Sequence, residues 1–140
     1  MAKRGRDVLA AVPLFSSLTP RHLKRLADLC EEQRFMEGAK VVRYGDIGDT
    51  FYVVLEGEAK VVSPSGRTLN TVRPGDFFGE ISLLDGGPRT ATVVAATPMT
   101  LLGLSRKAFL KVVEHEPVVA VKLLQYVAAT LRRLERSPVG

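Results

Sequence analysis

Cysteine occurs once, at Cys30, histidine twice, at His22 and His115, and no apolar run reaches membrane-spanning length. A lone cysteine excludes an internal disulfide and a thiolate metal cluster. Both histidines fall in segments that read as helices, outside the strand-rich middle of the chain. A several-histidine metal site inside a barrel is therefore excluded, as is a Ser-His-Asp or Cys-His nucleophile in that part. The expectation is a protein that is not an enzyme and holds no metal or cofactor. Each histidine reads as a surface residue. Cys30, in phase with Leu23, Leu26 and Leu29, reads as a small core residue. The longest apolar stretches, 93–96 and 118–121, are far too short to cross a bilayer. The basic start, Lys3, Arg4 and Arg6, runs into Asp7 and lacks the apolar core of a signal peptide. A cytoplasmic protein is the expectation.

What is present is ordinary in bulk. The chain has 140 residues, enough for one domain with a real core, expected to span 1–140. Its formal net charge of +5 gathers in clusters: Lys3, Arg4 and Arg6; Arg21, Lys24 and Arg25; Arg132, Arg133 and Arg136. These stretches have no interleaved aromatics, and basic residues along one side of an amphipathic helix are ordinarily a solvated face. Nucleic acid is not the expected partner. A mild positive field also favours a small anionic ligand.

Three parts follow one another. In 1–32 an apolar cluster of Val8, Leu9, Val12, Leu14 and Phe15 is broken by Pro13. A helix then starts with Thr19 as N-cap and Pro20 in its first turn, carrying Leu23, Leu26 and Ala27 at helical spacing. The part 33–104 alternates Gly or Pro turns with short apolar runs at 39–42, 51–55, 59–62, 69–72, 91–96 and 99–104. That pattern predicts an antiparallel sandwich or barrel. Residues 36–42 and 72–78 each put a Gly turn before an apolar strand, as two halves of a jelly-roll would. In 105–137, Ser105 caps a short helix over 106–114, and Pro117 opens a longer one to about Arg136, stopped by Pro138 and Gly140. On it Ala120, Leu124, Val127, Leu131 and Leu134 recur at spacings of four, three, four and three. This seam suits either docking on the barrel or pairing with a second copy.

The densest chemistry lies in 77–92, Phe-Phe-Gly-Glu-Ile-Ser-Leu-Leu-Asp-Gly-Gly-Pro-Arg-Thr-Ala-Thr. Gly79 lets backbone come close to a ligand, having no Cβ. Residues 81–84 make one helical turn, whose first N–H groups face an anion. Arg89 supplies a planar cationic fork suited to phosphate. Glu80, an acceptor only when ionised, suits a sugar hydroxyl. Arg89 follows a Gly-Gly-Pro turn and precedes an apolar strand, where a long cation needs a partner. The alternative is structural: a buried Glu80–Arg89 ion pair, or two solvated charges.

The stretch resembles the phosphate-binding cassette of the cyclic-nucleotide-binding domain family, which includes the catabolite activator protein, the regulatory subunit of protein kinase A and cyclic-nucleotide-gated channels. The family pattern is Phe-Gly-Glu, a hydrophobic residue, a small residue and Leu, then a turn and Arg-(Ser/Thr/Ala)-Ala. Phe78, Gly79, Glu80, Ile81, Ser82, Arg89, Thr90 and Ala91 fill it. The Pro-Leu-Phe-x-x-Leu-x-Pro run at 13–20 and the Gly-Asp-x-Gly-Asp string at 45–49 also match. The resemblance implies an α+β fold: an eight-stranded antiparallel jelly-roll between N-terminal helices and two C-terminal helices. It implies that Glu80 takes the ribose 2′-hydroxyl, that Arg89 takes the cyclic phosphate, and that Ser82 and Thr90 complete the phosphate cage. The glycines of 45–57 read as turns that hold the barrel and do not touch ligand.

From this follows the expected function. A cyclic nucleotide, cAMP ahead of cGMP, enters between barrel and last helix, and that helix swings in over the base from Thr130, Leu131 or Leu134. Thr90 does not decide the base. The output passes to an effector protein or domain, with a homodimer through the last helix as a further possibility. The resemblance to DNA-binding members implies a helix-turn-helix domain beginning where this chain ends at Gly140. The expectation is thus a stand-alone sensor. The sensing half of a truncated transcription regulator, or a degenerate β-roll that binds protein, are the alternatives.

Overall fold

The computed structural model describes residues 2–135, and side chains from Gly5 onward. The expected helix stop at Pro138 and Gly140, and the charges of Lys3, Arg4 and Arg136, lie outside what it describes. Helices α1 (Ala2–Ala10) and α2 (Pro20–Leu29) flank a single 3-10 turn, Pro13–Phe15. Eight strands follow: β1 (Glu31–Phe35), β2 (Lys40–Val42), β3 (Thr50–Glu56), β4 (Ala59–Val62), β5 (Thr68–Val72), β6 (Phe77–Phe78), β7 (Thr92–Ala95) and β8 (Met99–Ser105). Between β6 and β7 stands α3 (Glu80–Asp85); α4 (Arg106–His115) and α5 (Pro117–Glu135) end the fold.

The strands form two four-stranded sheets, ordered β1-β8-β3-β6 and β2-β7-β4-β5, with every pairing antiparallel. This is the expected eight-stranded roll. Residues 36–42 and 72–78 indeed supply matching turns, at Gly38 and Gly75, before one strand in each sheet.

β3 and β8 are buried on both faces. Phe51, Val53, Leu102 and Leu104 point to the helices, where they meet Leu9, Phe15, Leu26, Phe109 and Leu123. Tyr52, Val54, Met99 and Leu101 point between the sheets, against Ala59, Val72, Val93 and Ala95. A strand covered on both sides reads as a continuous apolar run, and 51–55 and 99–104 do. β1 is the reverse. Its sequence Glu-Glu-Gln-Arg-Phe is mostly polar, and it lies at the edge of its sheet on β8. The strand region therefore opens at Glu31, two residues before the boundary read from apolar pattern.

The caps form as the sequence predicts. The Thr19 hydroxyl accepts from the His22 amide, and Ser105 Oγ accepts from the Ala108 amide at 3.1 Å. Cys30 closes α2, its thiol donating to the Leu26 carbonyl, half-buried against the helical core. Burial pushes that thiol up to about 12. His22 departs from expectation. It is only 3% exposed, and Glu116, at the junction of α4 and α5, sits 3.7 Å from its Nε2. Glu116 also takes Arg21 at 2.8 Å and Arg25 at 3.8 Å. His115 is exposed.

Along α5, Val119 and Leu123 enter the core, and Tyr126 packs against it. Ala120 and Val127 are half-buried. Val121, Leu124, Leu131 and Leu134 are all more than half exposed. The apolar seam is therefore not docked on the barrel. The exposed stripe runs Val121, Leu124, Ala128 and Leu131, one position away from the seam read at Ala120 and Val127.

Candidate functional site

The cassette is placed by a reversal of the chain at Gly79. Its φ of 89° is left-handed, which only glycine adopts without strain, and it caps the start of α3. The first α3 bond runs from the Leu83 amide to the Gly79 carbonyl, so the amides before it have no intrahelical acceptor. The space beside Gly79 is used, and by protein. A Cβ there would stand 2.6 Å from Arg89 Nη1 and 2.9 Å from the Thr50 carbonyl.

Arg89 is 8% exposed. Its Nη2 donates to the Thr50 carbonyl at 2.8 Å, while Nη1 makes no hydrogen bond within the protein. Burial lowers its pKa; Tyr52 and Asp49 oppose that. Its backbone is held by the 45–49 turn: the Arg89 amide donates to Asp46, and Gly45 donates to the Arg89 carbonyl. Gly48 donates to Gly87, and Ile47 bridges Pro88. Gly48 is itself buried against the site, and a Cβ on it would stand 2.7 Å from Arg89 Nε. This turn, read from sequence as barrel scaffold only, is the rail on which Arg89 lies. Sequence offered no signal for that contact, since the partners lie far apart in the chain.

Glu80 begins α3, half-buried, and burial raises its carboxyl above the ordinary range. Its Oε2 is buried and unpartnered. Among the described residues no ion pair joins Glu80 to Arg89, so the two charges do not satisfy each other. Both line one cavity of about 200 Å³. Phe78, Gly79, Ile81, Ser82, Thr90 and Ala91 line it too, with Val42, Val61, Phe77 and Val93 as an apolar wall. Phe78 is held by stacking on Tyr52, ring centroids 5.2 Å apart. Ser82 is buried, and its hydroxyl donates to the Gly87 carbonyl at 3.2 Å, which ties the Gly-Gly turn to α3. Thr90 is exposed at the rim.

The structure thus brings together eight of the eleven residues singled out in the sequence: Phe78, Gly79, Glu80, Ile81, Ser82, Arg89, Thr90 and Ala91. It does not bring in Thr130, Leu131 or Leu134. Thr130 Oγ1 donates to the Tyr126 carbonyl of its own helix, and both leucines face outward. Among the described residues no cluster of His, Cys, Asp and Glu could hold a metal ion. No helix there is long and apolar enough to cross a membrane.

An apolar-walled pocket with one buried guanidinium and one buried carboxylate can hold a small ligand that carries both an anion and a hydroxyl. The comparisons agree with that chemistry. A family model described as the cyclic nucleotide-binding domain matches residues 32–116. The cAMP-dependent protein kinase regulatory subunit of Colletotrichum orbiculare is 38% identical over 104 residues, 74% of this chain and 27% of that one. A cyclic nucleotide-gated potassium channel of Mesorhizobium japonicum is 38% identical over 117 residues, 84% of this chain and 32% of that one. The chain thus spans less than a third of either relative. The solved N-terminal domain of a transcriptional regulator from Streptomyces coelicolor is 39% identical, with TM-score 0.83 over 92% of this chain and 93% of that one.

Proposed function

The chain belongs to the cyclic nucleotide-binding domain family, and on that premise we propose that it is a regulatory sensor which binds a cyclic nucleotide, cAMP ahead of cGMP, without turning it over. One observation carries the reading. Arg89 Nη1 and Glu80 Oε2 are a buried donor and a buried acceptor in residues of one cavity, and neither has a partner. Unpaired buried polar groups are costly, and charged ones more so. A ribose with a cyclic phosphate offers an acceptor to the first and a donor to the second. The valine wall is left for base and sugar carbon.

The preference for cAMP draws on the relatives, since that nucleotide is named for the Colletotrichum protein. Output is by movement of α5. Thr130, Leu131 and Leu134 stand outside the cavity here, so their role is to close over the base when nucleotide binds. A ligand that favours the closed arrangement shifts the population toward it. The exposed seam of α5 fits a second copy of this chain.

A titration calorimetry experiment with cAMP and cGMP tests the reading, with Arg89→Ala as control. Removing one partner of a buried charged contact costs about 2–5 kcal/mol, or about 30-fold and more in affinity. Micromolar binding of cAMP, weaker binding of cGMP and loss in the variant are expected. No heat from the folded, nucleotide-stripped chain overturns the assignment.

A second reading makes the chain the sensing part of a larger transcription regulator. The similarity to the Streptomyces domain over nearly its whole length favours it. It uses the same cavity and differs only in what α5 moves.

A further inference from the structure

Arg106 connects the two halves of the phosphate site to the C-terminal helices. It is the first residue of α4. Its Nε donates to the Leu83 carbonyl at 3.1 Å and its Nη2 to the Leu84 carbonyl at 3.2 Å. These carbonyls belong to the last turn of α3, where a helix has no amides of its own to offer. The guanidinium of Arg106 supplies them from another element, as a basic group at a helix C-terminus does. Its backbone amide donates to the Asp49 carbonyl at 2.7 Å. Gly86, in the left-handed region at φ 69°, keeps the path clear: a Cβ there would meet Arg106 Cζ at 3.2 Å.

One residue thus grips α3, whose first residue is Glu80, and the turn that supports Arg89. The first of these segments lines the cavity, and the second holds the backbone of Arg89. α4 then runs without interruption to His115, and Glu116 joins it to α5, which begins at Pro117. Apolar packing of Leu83 with Phe109 and Val112 joins the same elements. Packing of that kind resists separation and sets direction weakly, whereas two hydrogen bonds from one planar fork fix both distance and orientation.

We propose that Arg106 is the positioning residue that carries nucleotide occupancy from the cassette to α4 and α5. The proposal rests on the cavity's taking a cyclic nucleotide. Arg106 touches no ligand; it makes α4 follow α3. Without it the cassette still closes on phosphate, but α5 no longer follows.

The test measures affinity and α5 position on the same chains. Spin labels go on exposed positions of β4 and α5, through Lys60→Cys and Arg132→Cys, with Cys30→Ala in the background. Labelled chain is diluted into unlabelled, so that distances within one chain are read. In the otherwise unaltered chain, cAMP binds and the label distance changes. Arg106→Ala is expected to bind about fivefold or more weakly, the size of a typical coupling between sites. At saturating cAMP its label distance is expected to stay at the nucleotide-free value. A purely structural role predicts a lower melting temperature with the full distance change retained at saturation, and that result overturns the proposal. Arg106→Lys keeps the charge and loses the fork, so it probes the same bonds where the alanine variant does not fold. Its distance change is expected to be about half or less of the unaltered one; a full change overturns the proposal. Failure of the unaltered chain to bind cAMP or cGMP overturns the nucleotide reading and this proposal together. Binding with an unmoved α5 overturns this proposal and leaves the site standing.

Discussion

The guanidinium of Arg89 lies against the α-carbon of Gly79, at a place where any side-chain carbon would stand 2.6 Å from Nη1. The glycine thus does two things at once, turning the chain at φ 89° and leaving room for the cation. Gly79→Ala is expected to lose about 1–3 kcal/mol of stability through backbone strain. It also pushes Arg89 out of place, so cAMP affinity falls as far as in Arg89→Ala. Gly38→Ala separates the two effects. Gly38 has the same sign of φ, at 86°, with nothing within 4 Å of its missing Cβ. Thermal melts of both variants should fall, while calorimetry finds affinity lost at Gly79 alone. Equal affinities in both variants would refute the close-approach argument.

Glu80 gives a pH dependence of known sign. Burial raises its carboxyl above the ordinary range in the nucleotide-free chain. The folded state therefore holds this proton more tightly than the unfolded chain does. The associated stability is present at low pH and is lost as pH rises through the raised value. At neutral pH the ionised Glu80 is a cost, so Glu80→Gln is expected to raise the melting temperature without nucleotide. Binding runs the other way, because the ribose hydroxyl needs the carboxylate as acceptor. Affinity for cAMP should weaken as pH falls through the raised Glu80 value, above the ordinary glutamate range. Glu80→Gln should lose about 1.5–3 kcal/mol of binding and show no such pH dependence. A variant that melts lower and binds normally would contradict both halves.

The parts of the molecule that sequence reveals are those where one segment carries its own reason. The 77–92 string holds turn, helix start, carboxylate and guanidinium within sixteen consecutive residues, and the cavity gathers nine of them. β3 and β8 are legible because burial on both faces makes them apolar throughout. What stays hidden depends on residues distant in the chain. β1 is polar and becomes a strand only because β8 offers an edge. Buried His22 lies beside Glu116, and Arg89 is seated against Gly48, both far away in sequence. Helical spacing predicts the α5 stripe but not its phase, because the core takes Val119 and Leu123 and thereby leaves Leu124 outside.

Glu116 is the acidic centre of the joint between α4 and α5. It is 8% exposed, with Arg21 at 2.8 Å and Arg25 and His22 near 4 Å. Its amide and carbonyl also link Val112 and Val119 across the junction. Glu116→Gln keeps the shape and removes the charge, and urea unfolding should show a loss of about 1–3 kcal/mol. Arg21 is 72% exposed, so Arg21→Ala should cost only about 0–1 kcal/mol. The reverse order would mean that the arginine, and not the carboxylate, holds the joint.

The exposed face of α5 gives a prediction about monomer and dimer. Val121, Leu124, Ala128 and Leu131 recur at spacings of three, four and three, with Leu134 one turn on. That is a heptad seam with no partner among the described residues. Its opposite face is committed to the core through Val119 and Leu123, so in the nucleotide-free arrangement the stripe stays uncovered. A second copy, related by a two-fold axis along the helix, would cover both stripes at once. Sedimentation should therefore show a concentration-dependent dimer. Val121→Glu with Leu124→Glu puts charges into the seam and should leave a monomer, with cAMP affinity changed by less than about tenfold because neither residue lines the cavity or belongs to the proposed lid. A monomer at high concentration in the unaltered chain would reject self-pairing through α5. A monomeric variant that no longer binds would mean that the seam serves the nucleotide directly, as the lid.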